Sequence, residues 1–163
     1  HVLLALSLLL FAAMALFAWR LFLFFFGFPP EGTDFMLVHF FAMVTLIYFT
    51  GHRMLVRDRT TRFPDLMRNE FSNAAIYALI MGVFLYLYYT FIDLDEFPQK
   101  MEERIAALVA AGKTEADARE SLLVMFTPFN YASITFFTLL AVGAFNALVI
   151  AATQHKLLRR FIR

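Results

Sequence analysis

The sequence predicts an all-α, polytopic membrane protein: four transmembrane helices, with an extramembrane amphipathic helical hairpin between the third and the fourth. Three observations predict it. Of 163 residues, 61% are apolar and only 17% are charged, against roughly 45–50% apolar in an ordinary soluble domain. With 22 Phe and a mean hydropathy of +0.69, too little polar material remains to cover a soluble surface of this size. The apolar residues also fall in long continuous runs without the alternation of barrel strands, and backbone groups in hydrocarbon must bond within their own segment, so the runs are helices. Finally, the cations gather at alternate connections. Because each crossing uses about 20 residues, the chain has room for a single membrane domain. Cysteine is absent, which removes disulfides, thiolate nucleophiles and Cys-ligated metal sites.

The first span runs over about 2–26 with one charge, Arg20, and the segment Phe28-Pro29-Pro30-Glu31-Gly32 ends it. A second, over about 35–55, has His52, Arg53 and Arg57 where they reach the headgroups. The third, 71–91, and the fourth, 129–153 after Pro128, contain no charge. A basic connection over 52–70 carries Arg53, Arg57, Arg59, Arg62 and Arg68, and a basic tail over 154–163 carries Lys156, Arg159, Arg160 and Arg163. Both belong in the cytoplasm by the positive-inside rule. Glu31 and Asp34 mark the first connection as external; eight acids between Asp93 and Pro128 do the same for the third. Both ends of the sequence then lie inside. Trp19, Tyr86, Tyr88, Tyr89 and Tyr131 fall toward the outer boundary, where aromatic belts form; Tyr48 and Tyr77 do not.

Helices in lipid approach closely through small residues. Ala74, Ala78 and Gly82 recur every four residues on the third span, and Gly143, Ala147 and Ala151 do so on the fourth, so these ridges are expected to pack together in the cytoplasmic half. Asn146, one turn from Gly143, is placed to bond across to a neighbouring helix. In the external segment Met101, Ile105, Leu108 and Val109 recur at helical spacing before the stop at Gly112. Thr114 and Asp117 then open a second helix with a capping-box pattern, and Ala118, Leu122, Met125 and Phe126 continue its apolar face up to Pro128. The resulting periplasmic hairpin, 93–128, is expected to cap the outer ends of the third and fourth spans.

Chemistry-bearing residues are few. Arg20 is expected to snorkel beside Trp19, with an ion pair, for which Glu31, Asp34 and His39 are the local partners, or a substrate-binding role as the alternatives. His52 and His155 are the candidates for axial haem ligation at the inner ends of the second and fourth spans. Both sit at the water boundary, next to Arg53 and Lys156, so no cofactor and no metal is expected. His39 has no histidine partner at its depth. There is no H-E-x-x-H, Gly-rich phosphate loop or nucleophile elbow, and Asp93, Asp95 and Glu96 form a boundary cluster, so no enzymatic activity is expected. None of the 13 acidic residues falls inside a predicted span.

The run FPDLMRNEFSNAAIYALIMGVFLYLYYTFID (Phe63 to Asp93), the segment AAGKTEADARES (Ala110 to Ser121) and the run FTPFNYASITFFTLLAVGAFNALVIAA (Phe126 to Ala152) resemble a Bacteroidota inner-membrane family, the domain of unknown function number forty-one ninety-nine. The resemblance extends from Phe63 to Arg163. It implies a bacterial inner-membrane location and a four-helix layout with a helical insert before the last span, and it brings no activity or site residues.

The expected function is that of a small non-enzymatic membrane protein, an accessory or scaffold subunit of a larger inner-membrane assembly, energy-transducing or secretory. A small transporter or channel, with Arg20 and Asn146 lining a polar path, is the alternative. A haem- or quinone-associated subunit is a third. The expected partners are the bilayer, with anionic lipids at the basic inner face, and other membrane subunits; nucleic acid is not expected.

Overall fold

The structure, a computed structural model, describes residues 2–28 and 32–160, with side chains described at 7, 9–28, 37–158 and 160. Six α-helices follow one another: α1 Val2–Phe25, α2 Gly32–Arg57, α3 Phe63–Phe91, α4 Glu96–Ala110, α5 Glu115–Leu123 and α6 Pro128–Lys156, with a 3-10 turn at Leu158–Arg160. There is no strand among the described residues. The all-α expectation holds. Among these residues α3 and α6 are long and apolar enough to cross a membrane, and Leu9–Phe25 is a shorter apolar stretch. Helix α2 is diluted by His39, Thr45, Thr50, Gly51, His52, Arg53 and Arg57.

The helices outrun the expected spans. Because α2 continues through Arg57 and α3 starts at Phe63, the basic connection expected over 52–70 contracts to 58–62. Polar residues at a helix end leave the apolar run without leaving the helix. Asp58 closes the link: its Oδ1 accepts from the Thr60 backbone N–H at 2.8 Å and from Thr60 Oγ1 at 2.6 Å, while its carbonyl accepts from Thr61 Oγ1 at 2.7 Å. This is an Asx-type turn, and Pro64 then sits in the first turn of α3, where its missing N–H costs nothing.

The chain forms two compact units, residues 1–80 with 137–163, and residues 81–136. In the first, each long helix buries one narrow face. Leu9, Ala13 and Arg20 are buried on α1; His39, Met43, Ile47 and Leu55 on α2; Leu66, Glu70, Ala74, Tyr77 and Ala78 on α3; Asn146, Ala147, Ala151 and Gln154 on α6. The opposite faces carry Phe11, Phe41, Phe49, Phe137 and Phe145, all exposed. Small residues set the approach: a Cβ on Gly143 would lie 2.7 Å from the Ala74 Cβ and 3.1 Å from Met43 Sδ. Ala151 packs with Leu55 and Leu66, flanked by Met54, Phe63 and Met67.

In the second unit α4 and α5 form the hairpin. Ile105, Ala118 and Leu122 make its core, with Met101, Leu108 and Phe126 packed against it. The Thr114 hydroxyl oxygen accepts from the Asp117 backbone N–H at 3.2 Å and donates to Asp117 Oδ2 at 2.6 Å, capping α5. Gly112, at φ +96°, supplies the left-handed residue of the turn. Arg119 bridges Glu102 on α4 (2.9 and 3.3 Å) and Glu115 on α5 (3.4 Å). Val109 and Met125, expected in the apolar stripe, are exposed, because the two short helices bury only one residue in three or four against each other.

Two further expectations change here. Gly82 meets Ala132 and Phe136, with the Phe136 Cβ 3.2 Å from where a Gly82 Cβ would sit, so antiparallel register carries it past the Gly143 ridge. Tyr88 and Tyr89, expected toward the outer boundary, are buried against the protein. Tyr89 packs at a tilt against Phe97 (4.7 Å between ring centroids) and edge-on against Tyr131 (5.2 Å), and the Tyr88 hydroxyl donates to Asp93 Oδ2 at 3.3 Å. Burial, reinforced by the neighbouring Glu96, raises the Asp93 carboxyl above the usual carboxylate range. Trp19 and Tyr86 remain exposed.

Candidate functional site

Buried polar side chains of the first unit concentrate on the inward faces of its helices. Arg20 is 4% exposed and does not snorkel. Five residues before the end of α1, it lies on the buried face of the helix, and its charge acts on His39 of α2. Of its other expected neighbours, Glu31 lies outside the described residues, as does the side chain of Asp34. His39 Nδ1 is 2.7 Å from the Tyr77 hydroxyl of α3, a buried hydrogen bond joining two helices. The spacing that places His39 there is a four-residue ridge on α2, His39, Met43, Ile47, Gly51 and Leu55, all on one helical face.

The inner segments of α2, α3 and α6 meet at a second polar group, formed by Glu70, Gln154 and Gly51. Glu70 has no exposed surface, and neither carboxylate oxygen has a hydrogen-bond partner among the described residues. The backbone of Ala151 borders it without hydrogen-bonding geometry. Gln154, 1% exposed, donates from Nε2 to the Tyr48 carbonyl of α2 at 2.8 Å. That bond settles the amide's orientation, since the reverse rotamer would bring Oε1 against another acceptor. Gln154 Oε1 therefore turns toward Gly51 and Glu70, and it too lacks a partner. Glycine leaves that space open: a Cβ at residue 51 would overlap the Glu70 carboxylate and fall 2.5 Å from Gln154 Oε1, so both side-chain ends would have to shift. One Glu70 carboxylate oxygen and Gln154 Oε1, both acceptors, thus converge on one small space beside Gly51.

Elsewhere the expected residues behave differently. His52 stacks on Tyr48 (5.9 Å between ring centroids, 4° between planes), and His155 packs edge-on against Phe63 (6.0 Å). The structure gives each imidazole its own aromatic neighbour. Asn146 is buried but its Nδ2 reaches no acceptor among the described residues, so it forms no cross-helix bond through that donor. Among the described residues no three His, Cys, Asp or Glu side chains gather as a metal site.

Sequence reasoning missed Glu70 and Gln154. Glu70 fell at the end of the expected basic connection, and Gln154 at the start of the expected tail. Both are inside helices and buried, because α3 begins eight residues before the apolar run and α6 extends three beyond it. A signal was present: Glu70 stands four residues before Ala74, in register with Ala74, Ala78 and Gly82. No family model, curated protein or solved structure matches the chain.

Proposed function

We propose that the chain is a four-span integral protein of a bacterial inner membrane that carries a small polar solute or ion. Helices α1, α2, α3 and α6 are the spans. The exposed cations around the 58–62 link, Arg53, Arg57, Arg59, Arg62 and Arg68, and those from Lys156 onward face the cytoplasm and contact anionic lipid, and the hairpin over 93–128 faces the periplasm. One observation carries the reading: the first unit buries Arg20, His39 and Glu70 among apolar residues and leaves its large phenylalanines outside. Glu70 is fully buried while Phe11, Phe137 and Phe145 are 73%, 65% and 67% exposed. In water such a distribution would be strongly unfavourable; in lipid the exposed faces are solvated. Ionisable groups held within a lipid-solvated bundle are costly, and they mark solute or ion pathways in membrane proteins.

Purified protein in vesicles tests this. Flux of sodium ions or protons above that of protein-free vesicles, lost on Glu70→Gln, is the expected result; equal flux in both vesicle preparations contradicts it. A separate observation favours the accessory-subunit reading. Leu94, Leu123, Val124 and Met125 stay exposed on the extramembrane segment, where lipid does not solvate them. Co-purification with another membrane protein at fixed stoichiometry in mild detergent, without vesicle flux, would select that reading.

A further inference from the structure

We infer that Glu70, Gln154 and the backbone beside Gly51 form a binding site for one monovalent metal cation of sodium size. The inference deepens the transport reading and rests on it for the site's role, but binding itself is read without flux.

The first premise is charge. A carboxylate removed from water either takes up a proton or is compensated by a positive group, and salt-dependent melting separates the two. No ion pair of Glu70 exists among the described residues, and the cations nearest in sequence on these helices, Arg53, Arg68 and Lys156, are all exposed. The second premise is donor geometry. Gln154 presents its oxygen because its nitrogen is committed to the Tyr48 carbonyl. The carboxylate and the amide oxygen, each at least nine-tenths buried, face the same point beside Gly51. A hard cation accepts this all-oxygen set. The Tyr48 carbonyl, with a second lone pair, lies at the edge of the group.

The third premise selects valence. Divalent calcium takes 6–8 oxygen ligands, usually with several carboxylates. Here one carboxylate matches one positive charge, and no cluster of three acidic or imidazole ligands occurs among the described residues. A bridging water could bond both acceptors, but would leave the negative charge uncompensated. The glycine completes the set: at residue 51 any side chain would occupy the space where the cation sits. The site also joins α2, α3 and α6, so an ion bound there links three helices.

Thermal unfolding in detergent, at constant ionic strength and pH, tests the inference with sodium chloride, potassium chloride and N-methylglucamine chloride as the salts. Sodium is expected to raise the midpoint by about 5 °C over N-methylglucamine, saturably. Glu70→Gln should abolish the sodium effect. It should also melt no lower than the parent chain in N-methylglucamine, because its amide can donate to Gln154 Oε1. Gln154→Leu, which keeps the carboxylate and removes one oxygen, should retain the effect with affinity reduced about tenfold. A midpoint identical in all three salts overturns the inference and leaves Glu70 holding a proton or a water in place of an ion. A sodium effect retained in Glu70→Gln also overturns it. Sodium-dependent melting in a protein that gives no vesicle flux upholds the site and removes the transport reading.

Discussion

Gly51→Ala is expected to cost about 3 kcal/mol of stability, although alanine is the better helix former by about 1 kcal/mol. The added Cβ would overlap the Glu70 carboxylate, which has no exposed surface, so the acid side chain must shift within the packed bundle to admit it. Unfolding of the detergent-solubilised protein measures it. The cause is isolated by Glu70→Ala: in that background Gly51→Ala should cost 1 kcal/mol or less, roughly, because the remaining neighbour, Gln154 Oε1, ends a flexible side chain. A coupling of about 2 kcal/mol between residues 51 and 70 identifies their direct approach. If the two substitutions are additive, the carboxylate does not occupy the space beside Gly51.

Gly143→Ala produces the second large effect, at the crossing of α3 and α6. Its Cβ would stand 2.7 Å from the Cβ of Ala74, and neither backbone can shift without parting the two helices. A loss of about 2–3 kcal/mol is expected. The exchanged pair, Ala74→Gly with Gly143→Ala, keeps one methyl at the crossing and should return to within about 1 kcal/mol of the parent. Met43 Sδ, 3.1 Å from the same point, can adjust because the thioether side chain is flexible. Gly82→Ala supplies the contrast. Its nearest neighbour is Phe136 Cβ at 3.2 Å, so the cost should be about 1 kcal/mol. Equal costs at residues 82 and 143 would show that the crossing is not centred on Ala74 and Gly143.

Much of the helical architecture was legible in the sequence because its signals are local. Continuous apolar runs set the long helices, and Thr114, Asp117 and Gly112 set the hairpin through capping and turn chemistry, which are local. What was not legible depends on direction within a helix. A run such as 71–91 shows where the apolar stretch begins; it does not show where the helix begins, because a helix continues unbroken into polar sequence. Hence Glu70 and Gln154, read as boundary residues, lie in buried faces. Arg20 misled for a related reason. Proximity to the end of an apolar run suggested snorkelling, but rotation about the axis places it on the face shared with Leu9 and Ala13. Extending each four-residue ridge past the last small residue would have found Glu70 from Ala74, and Gly51 from His39 and Met43.

The bilayer as the chain's solvent is tested most directly by sidedness. The sequence contains no cysteine, so single cysteines can be placed at Arg59 and at Lys113 and labelled with a membrane-impermeant thiol reagent in intact cells and in inverted vesicles. Residue 113 should react in intact cells once the outer membrane is made permeable, and residue 59 only in inverted vesicles. Reaction of both from the same side would contradict the four-span arrangement.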